Sequence, residues 1–113
     1  ARDVARELPS RSIRLIGNPD ARVTRVCYMG HDLAATVRLL ADCDVVMAGE
    51  IREWDSAEYA RDLAAIDRRK GYIVIAHERL EQDGMELTAD WIRGFVPEVP
   101  VRFISSGEPF WLA

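Results

Sequence analysis

The chain has 113 residues, enough for one ordinary domain with one buried core. Apolar residues make up 49% and charged residues 30%, a balance that excludes disordered, fibrous and low-complexity classes. The net charge of −4 argues against nucleic acid as a partner, and no apolar run approaches the ~20 residues of a bilayer span.

Residues 1–11 read as a short helix with Val4, Ala5 and Leu8 on one face, stopped by Pro9. Ile13 and Leu15 alternate with Arg14 as in a strand, which ends at the turn signal Gly17-Asn18-Pro19-Asp20. Val23, Val26, Cys27, Tyr28 and Met29 predict a second strand running into Gly30. Asp32 is placed to cap a helix from Leu33 to about Asp42, with Leu33, Val37 and Leu40 on its inner face. Val45-Val46-Met47-Ala48 is a short, wholly apolar run, as expected for a strand covered on both faces.

The capping spacing Asp55…Glu58 predicts a helix from Ser56 to about Lys70, with Ala57, Ala60, Leu63, Ala64 and Ile66 inward. Arg68, Arg69 and Lys70 suit the negative end of its dipole as a solvated helix end, and Gly71 suits its C′ position. Tyr72-Ile73-Val74-Ile75-Ala76 is the clearest buried strand. Asp83…Glu86 repeats the capping spacing before a helix to about Phe95, in which Leu87, Trp91 and Phe95 share a face. Pro97 and Pro100 bracket a turn, and Val101, Phe103 and Ile104 predict a last strand. Strands alternating with helices give an α/β class. The expected architecture is one domain over 1–113, with a mixed or mostly parallel sheet and helices packed on its faces.

Cys27 and Cys43 are isolated in apolar segments with no CxxC spacing, and read as buried, reduced thiols in a cytoplasmic protein. The first residues carry no apolar signal-peptide core. Trp54, Trp91 and Trp111 are expected in the core, and the apolar tail Phe110-Trp111-Leu112 docks either on its own core or on a partner.

In open α/β sheets, ligands bind beyond the carboxyl ends of the strands. Three such ends carry polar residues: Gly30-His31-Asp32, Gly49-Glu50 and His77 through Glu81. Gly30-His31-Asp32 lacks the further glycines of a dinucleotide loop and reads as a tight turn with a polar cap. Glu50 reads either as a solvated carboxylate or as a site residue. His77 directly follows a buried strand, and Glu81 lies four residues on in the expected loop. Imidazole and carboxylate are ordinary ligands of Zn²⁺, Fe²⁺ or Mn²⁺, although a surface histidine gives the same bare pattern. His77-Glu78-x-x-Glu81 lacks the second histidine of a zinc-protease helix. No P-loop or basic phosphate cradle is visible, so no organic cofactor is expected.

Taken together, Gly17-Asn18-Pro19-Asp20 with the following strand, Cys43-Asp44-Val45-Val46-Met47-Ala48-Gly49-Glu50-Ile51, and Ile75-Ala76-His77-x-x-x-Glu81-x-x-Gly84 resemble the C-terminal half of the NIF-three family, also called GTP cyclohydrolase 1 type 2 homologues. The order and spacing match from about Gly17 to Ile104. Ala76 departs from the family's glycine before the histidine, and Trp54 stands where many relatives carry a polar residue. The resemblance implies half of a NIF-three-like fold and a two-metal site with His77 and Glu81 as ligands. It implies Glu50 nearby, supporting the site or acting as a base. It further implies a divalent metal (Zn, Fe, Mn or Ni), a homo-oligomer, and a missing N-terminal half that supplies an adjacent histidine pair and an aspartate.

Two readings follow. In the first, the chain contributes to a metal-dependent hydrolase of unknown substrate. In the second, it is a non-catalytic oligomerisation or interaction module that lacks a complete metal site. A catalytic metal needs three or more protein ligands. A complete chain would therefore bind metal weakly, whereas a portion of a longer protein would hold half of a site.

Overall fold

The computed structural model describes residues 2–8 and 10–111, with the backbone alone for Arg2, Val4, Ala5 and Leu33. The expected inner face of Val4 and Ala5, the contribution of Leu33 and the place of Leu112 lie outside the described residues. Helix α1 spans Arg2–Glu7, strand β1 Arg14–Gly17 and strand β2 Val26–Met29. A 3₁₀ turn at Leu33–Ala35 leads into helix α2, Thr36–Asp42, and strand β3 follows at Val45–Ala48. A π-helical turn, Glu53–Ala57, opens helix α3, Glu58–Ile66. Strand β4 is Gly71–Val74 and helix α4 is His77–Arg93.

The chain is α/β. Its four-stranded mixed sheet has the order β1-β4-β3-β2. β2, β3 and β4 are parallel, and β1 closes one edge antiparallel to β4. The two faces of the central strands alternate with period two. Val46, Ala48, Tyr72 and Val74 pack with Leu40 and Ala60, against α2 and α3. Val45, Ile73 and Ile75 face the other way, against Leu8, Ile13, Met47 and Leu80 of α4. β3 and β4 are covered on both sides, which is why their sequences are continuous apolar runs. Ile75 continues the ladder through its N–H to the Ala48 carbonyl, 2.9 Å.

Several expectations are corrected. Val101–Ile104 forms no strand; Arg93 Nε instead donates to the Val101 carbonyl at 2.9 Å. α4 begins at His77, six residues before Asp83, which lies inside the helix beside Arg79. The Leu87, Trp91 and Phe95 stripe faces outward, with Trp91 edge-on to Phe95 and only Ala89 buried in this helix. Trp54 and Trp111 are exposed as well, stacked beneath Arg52 and Arg11 respectively, because a guanidinium covers an indole face well at the surface. Thr36 and Leu40 form the inner face of α2, while Val37 points out. Asp32 pairs with Arg38 rather than capping the helix by its side chain.

The buried Ser56 hydroxyl, not Asp55, organises the start of the third helical segment. It accepts from the Arg52 N–H at 3.1 Å and donates to the Arg52 carbonyl at 3.3 Å. Ile66 points to solvent, because α3 stops there and no further turn carries it inward. The cysteines form a disulfide rather than two thiols. The α2 crossover returns Cys43 beside β2, with 5.9 Å between the Cα atoms of Cys27 and Cys43. Among the described residues no helix is long and apolar enough to cross a membrane.

Two carboxylates fasten loops to this frame. Asp44 accepts from the Thr24 N–H and hydroxyl, both at 2.8 Å, and from the Arg25 N–H at 3.1 Å. Glu108 accepts from the Ser10 hydroxyl, the Arg11 and Ser12 N–H groups and the Ser12 hydroxyl, tying the last segment to the β1 approach. These donors favour the charged form and hold Asp44 at about 2, well below the ordinary 3.8. They hold Glu108 at about 2 against an ordinary 4.5. Since both values are depressed on folding, the stability they contribute is full above roughly pH 5 and drains away as pH falls toward roughly 2. Urea unfolding across that range is expected to show stability falling with pH. Asp44→Asn and Glu108→Gln should each be less stable at neutral pH and decline less steeply; variants with an unchanged slope would contradict this account.

Candidate metal centre

The parallel register fixes where the strand ends meet. Met29, Ala48 and Val74 lie side by side across β2, β3 and β4. Two residues beyond that level come His31 and Glu50, and three beyond it comes His77. Gly49 makes the β3 exit tight, whereas Gly30 faces open space. A Cβ on Gly49 would stand 3.1 Å from the His77 Cα, so the β3 exit and the start of α4 are in backbone contact. Glu81 is one helical turn along α4 from His77, on the same face. The expected loop position of Glu81 is thus corrected: a helix carries both residues, because Ala76 turns the chain directly from the ladder into α4.

The structure brings together Glu50, His77 and Glu81, which the sequence singled out, and adds His31. His31 Nδ1 lies 3.1 Å from Glu50 Oε1, and His31 Nε2 lies 3.1 Å from Glu81 Oε1. His77 Nε2 lies 3.2 Å from the same Glu81 oxygen, and His77 Nδ1 lies 3.7 Å from the same Glu50 oxygen. The two imidazole rings are 4.8 Å apart and tilted by 31°. Single ligand atoms of His31, Glu50 and His77 all fall within 4.8 Å of one another. From the sequence, Gly30-His31-Asp32 reads as a tight turn with a polar cap, whereas the structure places the His31 ring in the site. The available signal was its position at a strand end equivalent to those of Glu50 and His77.

This ring is electrostatically unfinished. Two neutral imidazoles supply two N–H groups for four facing nitrogen–oxygen contacts. The other two ring nitrogens then point lone pairs at carboxylate oxygens. Protons or a cation relieve that repulsion. The first response is visible at His31, whose pKa is raised above 6.5, chiefly by its hydrogen bond to Glu50 and further by Glu81. The second is chemically open, since two imidazoles and two carboxylates form a borderline-hard donor set suited to Zn²⁺, Mn²⁺, Fe²⁺ or Ni²⁺. Ligand bonds of about 2.1 Å space the donor atoms by roughly 3–4 Å, within small side-chain adjustments of the observed geometry. All four groups are partly exposed, so an ion could enter directly from solvent.

The Glu50 backbone is supported from below. The Tyr72 hydroxyl, inside the core, reaches the Glu50 carbonyl at 3.4 Å, and burial pushes its pKa up. A cavity of about 610 Å³ opens beside Glu50 and His77, lined on its apolar side by Ile13, Ile51, Val74 and Phe110. Arg14 and Glu53, 3.1 Å apart, also reach this cavity.

No protein-family model and no curated protein matches the sequence. Crystal structures of the Staphylococcus aureus hypothetical protein SA1388 share the fold. Two of them superpose with TM-scores of 0.67 and 0.68 at 19% identity, over 100% of this chain. The chain spans about one third of their length, 32% and 37%. At that identity the likeness is one of fold alone.

Adding a methyl group at Gly49 would press on the backbone of His77. Gly49→Ala should therefore cost about 1–3 kcal/mol in chemical denaturation and shift the His77 ring signals in an NMR spectrum. Unchanged stability together with unmoved His77 resonances would contradict the contact.

Proposed function

We propose that His31, Glu50, His77 and Glu81 bind a divalent cation, and that the chain is one portion of a NIF-three-like protein with metal-dependent hydrolytic activity. One observation carries the proposal: two imidazoles and two carboxylates from three strand ends share contacts that neutral rings cannot satisfy by hydrogen bonding alone. The motif resemblance supports the same assignment.

His77 and Glu81, rigidly spaced on one helix face, would be the core ligands. His31 would close the site from the β2 side. Glu50 would hold the ion or accept a proton, its backbone steadied by Tyr72. A bound divalent ion would supply Lewis acidity toward a carbonyl or phosphoryl oxygen. The cavity beside Glu50 and His77 would receive the substrate. Further ligands would come from a segment outside this chain, as in the family it resembles. The exposed Trp91, Phe95 and Phe110 support a homo-oligomeric or interdomain contact in the assembled protein.

Equilibrium dialysis against Zn²⁺, Mn²⁺, Fe²⁺ or Ni²⁺, read by elemental analysis, tests this assignment. About one ion per chain is expected, with affinity lowered at least about tenfold in His77→Ala and in His31→Ala. Metal at background levels, or binding indifferent to both substitutions, would defeat it.

A further inference from the structure

The opposite end of the sheet carries a second concave site. A cavity of about 400 Å³ there is lined by Asn18, Asp20, Arg22, Thr24, Arg68 and Arg69. Arg22, Arg68 and Arg69 line it together with Asp20, and the carboxylates of Asp67 and Asp44 also act on Arg69. The cationic run Arg68-Arg69-Lys70 does not serve the end of α3. Lys70 turns away and donates to the Leu40 and Cys43 carbonyls at 2.6 and 2.8 Å, closing the end of α2. Arg69 is held by Asp67 through both Nε and Nη2, at 3.2 and 2.9 Å. Arg22 and Arg68 have no carboxylate partner among the described residues.

The cavity's other wall is prepared rather than loose. Asp44 takes the Thr24 N–H and hydroxyl, fixing the loop before β2. The Asn18 amide oxygen accepts from the Asp20 N–H at 3.0 Å, which leaves its NH₂ group as a donor.

The geometry points to a binding site for a small molecule carrying a phosphate or diphosphate group. Planar guanidinium forks match phosphate oxygens two at a time, and Arg22 and Arg68 bring two such forks to one cavity without an ion pair of their own among the described residues. The concave shape and the acidic remainder of the chain favour a small ligand over a nucleic-acid backbone. This site is separate from the imidazole–carboxylate ring and stands whether or not that ring binds metal.

The test is calorimetric titration of the protein with inorganic pyrophosphate at low salt. Orthophosphate, a nucleoside diphosphate and duplex DNA serve as parallel arms. One saturable site is expected for pyrophosphate, with either the free anion or the nucleotide bound more tightly according to which is the natural source. The exposed substitutions Arg22→Gln and Arg68→Gln, with folding checked by circular dichroism, should together weaken binding at least about tenfold. Arg102→Gln, which does not line this cavity, should leave binding unchanged, and added salt should weaken it further. The assignment is overturned if no pyrophosphate binding saturates, if Arg102→Gln is as damaging as the cavity pair, or if duplex DNA alone binds through Arg22 and Arg68.

Discussion

The parallel register of β2, β3 and β4 is the constraint from which the rest follows. With Met29, Ala48 and Val74 at one level, the chain leaves three adjacent strands along one rim. The next polar residues in each exit then have nowhere to go but toward one another. The residues are far apart in sequence, His31 and Glu81 by 50 residue numbers, yet their ring nitrogen and carboxylate oxygen lie 3.1 Å apart. A slip of one residue in any of these strands would turn the core side chains to the wrong face and take the rim residue with them. Packing on both sides of β3 and β4 guards against such a slip, so the hydrophobic core and the candidate site are specified by the same register.

How much of this was legible in the sequence depended on whether the signal was local. Val45–Ala48 and the strand through Val74 were legible, because strands covered on both faces need uninterrupted apolar side chains. The rim location of Glu50 and His77 followed from those strands. The start of α4 was not legible. Ala76 precedes it without a capping side chain, and the capping spacing of Asp83 and Glu86 points six residues too far along. Leu40 lies on the inner face of α2 as its spacing predicts, but Val37 and the Leu87, Trp91 and Phe95 stripe of α4 face solvent, because hydrophobic spacing names a face without saying what covers it. Trp91 and Phe95 satisfy each other at the surface. His31 and the Cys27–Cys43 disulfide were hidden for another reason: each depends on a non-local pairing that a crossover helix creates.

The charged residues sort into two ends of one molecule. At the carboxyl rim, carboxylates and imidazoles converge and invite positive charge, whether from protons or a metal ion. At the other rim, Arg22, Arg68 and Arg69 line one cavity. Asp44 and Glu108 work as fasteners, each collecting several N–H and hydroxyl donors and so holding a loop whose own side chains contribute little to the core. Lys70 plays the complementary part at the end of α2, where unpaired carbonyls need a donor.

The central claim is that His31 and His77 act as one unit across β2 and α4. Nitrogen-15 NMR of the histidine rings during zinc addition tests it most directly. The account predicts that the ring nitrogens of both residues shift together and saturate at the same metal equivalence. A titration in which His77 responds while His31 keeps its metal-free signals, or in which neither ring moves, would contradict it.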